Sequence, residues 1–282
     1  MPKSSVNKEV NVSRGDRESQ YLNIILNAIR VCASYKPKLG QGGRNGWSLA
    51  DFQKIYGSDP FYSWFGLDNP MMYAAHKAAG GMTSIYRQIG IGSETLFRQI
   101  LQDELGLTEE QAKWSYDIIG ANKKQRRLAL DARISLEDIR VKVKQQRLRR
   151  WMADVCADLD VESGIAGSLK GVVFEVRQGY KSKDSKRQNA DIANAVTAYT
   201  RAYLPCAVIM SNQIDLDILH RYRSEKWSVL TGSTLSESPL VSTYAFMARI
   251  VGYDLAAFFN SNSEVLQGEV AKVLEALLRA DK

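Results

Sequence analysis

The stretch GVVFEVRQGYKSKDSKRQNADI, residues 171–192, places one carboxylate, Glu175, inside an otherwise apolar run of β-forming residues. Because the side chains of a strand alternate between its two faces, Glu175 and Arg177 would share a face. A buried charge needs a partner of opposite charge or a metal ion, since burial without one is costly. Glu175 is therefore either half of a structural ion pair with Arg177 or a ligand of a divalent metal ion.

Three more carboxylates precede this run, in the segment ADLDVESGIAGSLKG: Asp158, Asp160 and Glu162. A return of the chain from Asp160 into the strand would bring a second carboxylate close to Glu175. Two carboxylates with water can hold Mg²⁺, which keeps several waters and binds phosphate oxygens. Such an ion activates water and stabilises the charge that builds on a phosphorus centre. We predict Asp160 and Glu175 as metal ligands, and which of the three acids is the first ligand stays open.

The chain becomes densely cationic just beyond the strand. Lys183, Lys186 and Arg187 are three or four residues apart, so on a helix they would project from one side. Gln188 and Asn189 add amide groups of the kind that read adenine, as Arg and Lys read guanine. We predict that these five residues contact DNA, and the alternative is a solvated helix face.

A second basic region, NKKQRRLALDARISLEDIRVKVKQQRLRRW, spans residues 122–151. A helix pair with this charge would contact phosphates, and Arg147 and Arg150 are its predicted DNA-binding residues. A charged surface helix without a ligand is the alternative interpretation.

The elements before this region show helical spacing of apolar residues. A helix is predicted over residues 18–35, and Ser48 is a predicted N-cap of a short helix, LADFQKIYG. Helical pattern resumes after residue 70, with breaks predicted at the pair Gly80 and Gly81 and again near Gly90 and Gly92.

Two further helix starts are predicted in the first half of the chain. Thr108 and Gln111 form a capping box for the segment EEQAKWSYDIIG, and Ser135 with Asp138 suggests another start. The first half is therefore predicted to be largely α-helical.

The second half changes character. The pattern predicts a strand over residues 172–176, a helix over 184–203 that ends at Pro205, and a buried strand over 206–210. A strand, a helix and a buried strand in this order form a β-α-β unit, with parallel neighbours in a sheet that helices cover. Residues 227–232 add a candidate strand, and two helices close the chain.

This arrangement resembles the PD-(D/E)XK nuclease superfamily: an acid, then an acid-x-cation triplet on a strand (EVR), then a helix of a β-α-β unit. Within that superfamily, FEVRQGYKSKDSKRQNADI followed by YLPCAVIMSNQID is similar to type II restriction endonucleases. The resemblance covers residues from about 158 to 215. The sequence departs from the superfamily in two ways: no Pro precedes Asp158 or Asp160, and Arg177 stands where Lys is usual.

The resemblance implies an α/β fold with a mixed central β-sheet, flanking helices and a restriction-endonuclease-like core. It implies a nuclease core at residues 151–282, preceded by a helical region for DNA binding or dimerisation at 18–150 and a flexible N-terminus at 1–17. The implied activity is Mg²⁺-dependent, site-specific hydrolysis of double-stranded DNA. A non-catalytic DNA-binding protein and a repair or recombination nuclease without sequence specificity are the alternatives.

The resemblance also assigns roles. Glu175 would hold the metal ion, Lys181 or Lys183 would serve the attacking water, and Arg177 would support the site or contact the scissile phosphate. An Arg guanidinium is effectively never deprotonated, so one of the two lysines would supply the missing ammonium. A palindromic site calls for a two-fold homodimer, and a restriction enzyme pairs with a DNA methyltransferase.

The amino-acid composition favours some classes of protein function and argues against others. The net charge of +7 makes polyanions the first candidate partners. Three widely spaced cysteines without a CxxC pattern argue against a disulfide framework or a zinc site and favour a reducing cytoplasm. Two histidines in the whole chain argue against Ser-His-Asp chemistry and His-rich metal sites.

No apolar run is long enough for a membrane span, and the N-terminus lacks the pattern of a signal peptide.

Overall fold

A computed structural model describes residues 14–39, 45–119, 125–179 and 194–279. The helices are α1 (Arg14–Arg30), α2 (Leu49–Gly57), α3 (Pro60–Trp64), α4 (Pro70–Leu105), α5 (Glu109–Ala112), α6 (Lys142–Asp158), α7 (Ser163–Ser168), α8 (residues 194–200), α9 (Leu216–Ser224), α10 (Thr243–Phe246), α11 (Leu255–Ser261) and α12 (Ser263–Leu278). The strands are β1 (Trp114–Ile119), β2 (Gln125–Leu130), β3 (Ala132–Ser135), β4 (Gly171–Arg177), β5 (Tyr203–Ile209) and β6 (Ser228–Leu230). Short 3₁₀ turns cover Val31–Ser34 and Leu136–Asp138, and a π turn covers Met247–Val251.

Four strands form one mixed sheet in the order β3-β4-β5-β6. β3 runs antiparallel to β4, whereas β4, β5 and β6 are parallel to one another. β1 and β2 form a separate antiparallel pair. The predicted mixed α/β fold is thereby confirmed, as are the parallel pairing of the two strands of the β-α-β unit and the strand predicted at 227–232.

Apolar residues bury the central strand β4 on both faces. Val172, Phe174 and Val176 belong to the larger core cluster, which also draws on α1, α4, α6 and the C-terminal helices. Val173 points the other way, into a second cluster with side chains of β1, α8 and α9. This double coverage explains why β4 reads as a continuous apolar run rather than an alternating one.

The longest helix, α4, contradicts a prediction. The glycines at positions 80, 81, 90 and 92 were expected to break it, but the helix runs without interruption for 36 residues. Its glycines allow neighbouring helices to come close: a Cβ at Gly81 would lie 2.5 Å from Leu277 of α12, and one at Gly92 would lie 3.2 Å from Ala28 of α1. Tertiary packing therefore overrides the low helix propensity of glycine.

The first half of the chain is largely helical, as predicted, but it also contains a hairpin. The capping box of Thr108 and Gln111 is present, yet the helix that it begins ends at Ala112. The following WSYDII forms β1, because aromatic and β-branched side chains suit a strand packed against β2. Ser135 ends β3 and stands at the N-cap position of the short 3₁₀ turn Leu136–Asp138, without a side-chain capping bond. Among the described residues 125–151, α6 is the one α-helix of the expected helix pair.

Two of the predicted helices are present close to their predicted bounds, whereas the predicted helix end at Pro205 is wrong. The helix predicted over residues 18–35 is α1 with its 3₁₀ extension, and Ser48 caps α2 through a full capping box. Pro205 lies inside β5, opposite Val173, instead of ending a helix, because α8 has already ended at residue 200.

The larger core cluster draws on both halves of the described chain. The larger cluster contains residues from Tyr21 to Leu277, and the boundary predicted between residues 150 and 151 falls inside α6. Of the N-terminal segment predicted as flexible, residues 14–17 belong to α1 and residues 1–13 lie outside the described part. Among the described helices, none combines the length and the apolar character that crossing a membrane requires.

Gly171 sets the pairing of β3 with β4. A Cβ at this position would lie 2.0 Å from the carbonyl oxygen of Ile134, which is backbone and has little room to move. We expect Gly171→Ala to destabilise the protein by about 1–3 kcal/mol, the usual cost of overpacking. Urea unfolding measures the change, and Gly167→Ala is the matched control because a Cβ there meets nothing within 4 Å. Equal midpoints for the two variants would contradict this account.

Candidate active site

Asp131, which precedes the edge strand β3, makes two hydrogen bonds to β4, one to the residue before Glu175 and one to the residue after it. Its N–H donates to the carbonyl of Phe174 at 2.8 Å, and its carboxylate accepts the N–H of Val176 at 2.7 Å. Ala132 also lies opposite Phe174, so two residues of this segment face one residue of β4. That two-to-one pairing is the pattern of a β-bulge, a feature that re-aims a side chain at a strand end.

Glu175 and Arg177 contact each other on the same face of β4. The guanidinium Nη2 of Arg177 donates to Oε1 of Glu175, and the two side chains are only 11% and 10% exposed. Each charge thus compensates the other in a site largely removed from water. A carboxylate has two oxygens and about four lone-pair sites, so an ion pair with Arg177 does not by itself exclude a metal ion at Glu175.

Helix α4 adds two charged side chains, Glu94 and Arg98, to the same place. Nη1 of Arg98 donates to the carbonyl of Asp131. Burial raises the pKa of Glu94 to about 7, with a further contribution from the nearby charge of Asp131, while Arg177 and Arg98 oppose the shift. Glu94 therefore lies near Asp131, Arg98 and Arg177, and Arg177 in turn contacts Glu175, close to where β3 begins.

This arrangement suits a divalent cation bound by two carboxylates. Asp131 and Glu175 are held rigidly, one by two bonds to β4 and the other on the strand itself. Within the described residues, no group of three or more His, Cys, Asp and Glu side chains is placed to hold a metal ion. Two carboxylates with water are nevertheless a usual ligand set for Mg²⁺, which keeps several of its waters.

The three acids predicted as alternative first ligands lie elsewhere. Asp158 pairs with Arg223 at 2.8 Å, and Glu162 is exposed at the start of α7. Asp160 is exposed in the turn after α6, and its carbonyl accepts from Lys226, which precedes β6 and so lies at the amino-terminal end of the parallel strands. Asp131, rather than Asp160, is the acid that the structure attaches beside Glu175.

The other predicted site residues are only partly described. Gly179 is the last described residue after β4, so Lys181, Lys183, Lys186, Arg187, Gln188 and Asn189 lie outside the described residues. Arg147 and Arg150 lie on α6, where they line a cavity of about 350 Å³ with Trp151 and Pro239. Neither Asp131 nor any residue of β4 lines this cavity.

Sequence reasoning missed Asp131 and Glu94. Asp131 lies in LALDARIS, where a single carboxylate interrupts an apolar β pattern in the same way as Glu175 does in GVVFEVR. That signal was present, but the segment was interpreted as helical. Glu94 gives a weaker signal, since a Glu four residues before an Arg on a helix usually marks a solvated surface pair.

The raised pKa of Glu94 predicts a pH-dependent contribution to stability. Between pH 4.5 and 7 the folded protein keeps a proton on Glu94 that the unfolded chain has lost, so this contribution falls as the pH rises. We expect Glu94→Gln, which resembles the protonated form, to match wild type near pH 4.5. Its stability relative to wild type should increase through pH 7 and then level off. Unfolding free energies in EDTA at pH 4.5, 6, 7.5 and 8.5 measure this, and a difference that does not change with pH would refute it.

The fold and the site define a mixed α/β protein that carries a cluster of carboxylates and guanidiniums at the edge of its sheet. In comparisons with protein-family models, with curated proteins and with solved structures, the chain gave no match. The geometry and chemistry of the site therefore carry the functional argument.

Proposed function

We propose that this protein is a Mg²⁺-dependent endonuclease of the type II restriction class, which hydrolyses phosphodiester bonds in both strands of a short DNA site. The observation that carries the proposal is the attachment of Asp131 to β4 on both sides of Glu175, through the N–H of Val176 and the carbonyl of Phe174. Asp131 would thereby supply the second carboxylate that the acid-x-cation triplet requires, while Glu175 lies on a strand of a parallel β-α-β unit.

Each residue has a proposed role. Asp131 and Glu175 would hold the ion, which when bound polarises a phosphoryl oxygen and lowers the pKa of a bound water. Arg177, already beside Glu175, would turn its guanidinium towards the scissile phosphate, since its planar donors match phosphate oxygens. Lys181 or Lys183 would orient the attacking water from the segment that follows β4.

The rival function is DNA binding without catalysis. It is favoured by one observation, the largely buried ion pair of Glu175 with Arg177, which satisfies both charges without any metal ion. A second rival is a repair or recombination nuclease that cuts DNA without sequence preference. The net charge of +7 suits all three functions equally.

Incubation of plasmid DNA with the purified protein, with Mg²⁺ and with EDTA, separates the three functions. Discrete fragments that require Mg²⁺ support the restriction endonuclease, and sequencing their ends gives the recognition site and the cleavage position. A smear supports the non-specific nuclease. A mobility shift without cutting in either condition supports the DNA-binding protein and overturns the proposal.

The proposal includes partners and location. A restriction enzyme for a palindromic site would act as a two-fold homodimer, because the half-sites mirror the symmetry of the protein. It would work in the cytoplasm beside a DNA methyltransferase that protects the host sequence. Light scattering of the protein with and without a cognate duplex tests the dimer, and a mass of one chain in both states would contradict it.

A further inference from the structure

A large open cavity lies next to Asp131, along the edge strand β3. Its volume is about 820 Å³, and Asp131 forms part of its lining. Six cationic side chains line it, each from a different segment of the chain: Arg98, Lys113, Arg127, Arg133, Lys170 and Arg201. The carboxylates in the lining are Glu110 and Asp131, so six cations less two carboxylates give the lining a formal charge of +4.

Uncharged groups position two of these cations. Arg127 donates to the hydroxyl of Ser115 at 3.0 and 2.6 Å, and Arg201 lies over the ring of Tyr116 at 5.2 Å from its centroid. A hydroxyl and an aromatic ring orient a guanidinium without neutralising its charge. The cavity is therefore built to present positive charge, which suits an anionic ligand.

Of the remaining cations, Lys113 is paired with Glu109 at 2.5 Å and with Glu110 at 3.4 Å, so it adds little to the positive charge of the cavity, and Arg98 donates to the carbonyl of Asp131. Arg133 donates to the carbonyl of Gln111 at 3.0 Å and contacts Asp138 at 3.6 Å, so it forms a fixed part of the wall. Lys170 is exposed where the chain enters β4. Its carbonyl accepts the N–H of Leu136, which places it beyond the far end of β3 from Asp131.

The length of the cavity indicates more than one anionic group. Asp131 and Leu136 are five residues apart, which is about 17 Å along an extended chain at about 3.4 Å per residue. Phosphates of one DNA strand recur about every 3.4 Å along the helix axis. A path from Asp131 to Lys170 therefore matches several consecutive phosphates and is long for a single phosphate or a small metabolite.

We propose that this cavity binds the internal phosphates of one DNA strand on one side of the cleaved bond, so that the strand runs along β3 from Asp131 towards Lys170 and Arg201. The inference rests on the proposed function for its substrate and for the position of the cleaved bond. Among the cations to which it assigns phosphate contacts, Lys170 and Arg201 lie outside both basic segments that the sequence highlights.

The test compares two double variants with the same change in charge. Lys170→Gln with Arg201→Gln removes two cations from the cavity, and Lys272→Gln with Arg279→Gln removes two exposed cations from the C-terminal helix and the residue after it. Binding to a duplex with 5′-hydroxyl ends is measured in EDTA across a salt series. We expect the cavity variant to bind about tenfold more weakly and the slope of log K against log salt to fall by about 1.8, since each phosphate contact contributes about 0.9. The control should bind within about twofold of wild type, because long-range effects of exposed charges are screened by salt.

Because the readout is binding without Mg²⁺, it does not depend on cleavage. A wild-type protein that never cuts DNA, together with a cavity variant that binds weakly, would overturn the proposed function and the position relative to a cleaved bond, but it would leave standing the binding of DNA phosphates by this cavity. Equal losses in both double variants, or no loss in the cavity variant, would overturn the inference. A loss confined to duplexes with 5′-phosphate ends would also overturn it, since the cavity would then bind a terminal phosphate.

Discussion

Glu175→Gln is expected to reduce Mg²⁺-dependent DNA cleavage by about 10³-fold or more, while DNA binding in EDTA stays within a few-fold of wild type. Gln keeps the size of the side chain but lacks the negative charge that holds a divalent ion. A loss of about 4 kcal/mol of transition-state stabilisation, within the several kcal/mol that a metal ion supplies, corresponds to that factor. Phosphate contacts by cationic side chains elsewhere would survive the change.

Two measurements separate a metal ligand from a structural residue. Since a bound ligand raises stability, Mg²⁺ should raise the Tm of wild type but not that of the variant. The variant also leaves Arg177 without its charge partner, and breaking a buried pair costs about 3–5 kcal/mol. The double variant Glu175→Gln with Arg177→Gln removes both charges and is the control for that cost. If Glu175→Gln cuts DNA at near the wild-type rate, the metal assignment is wrong.

Asp131→Asn is expected to be as damaging as Glu175→Gln, within about tenfold, whereas Asp160→Asn should leave cleavage within about twofold of wild type. Asp131 is bonded to β4 on both sides of Glu175, while Asp160 is exposed in a turn at the amino-terminal end of the parallel strands. Asn retains an oxygen that can accept the N–H of Val176, so the fold around β4 should be preserved.

We would test these two predictions by measuring, for both variants, the cleavage rate in Mg²⁺ and the shift in Tm that Mg²⁺ causes. Asp131→Asn should lose the shift, and Asp160→Asn should keep it. The reverse result would return the first metal ligand to the segment before α7, as the sequence pattern had suggested. Two variants that both cleave DNA like wild type and keep the shift would show that neither Asp131 nor Asp160 is a metal ligand.

The structure describes most of one basic segment that was predicted to bind DNA, residues 122–151, but not the other, residues 183–189. The described part of this segment, residues 125–151, divides into strands β2 and β3, a 3₁₀ turn and helix α6, instead of the expected helix pair. Arg127 and Arg133 line the cavity beside Asp131, and Arg147 and Arg150 line another one beside Trp151. Base contacts by Lys186, Arg187 and their neighbours remain a prediction, since those residues lie outside the described part of the chain.

The sequence by itself determined the local elements around Glu175. An apolar run with β-branched residues predicts β4, and a second such run after a helical pattern predicts β5 parallel to it. The pairing of Glu175 with Arg177 follows from the two-residue period of a strand and is present in the structure. These features depend on neighbours along the chain, so periodicity alone is sufficient to predict them.

Only the tertiary structure decided which acid joins Glu175 and which helix flanks it. Asp131 is 45 residues away from Val176 in sequence, and their contact depends on the antiparallel register of β3 with β4 and on a bulge where β3 begins. Glu94 reaches the site because α4 remains helical through its glycines, of which Gly81 packs closely against Leu277 and Gly92 against Ala28. Register and packing are set by contacts between distant segments, and the local pattern of a sequence carries no direct record of them.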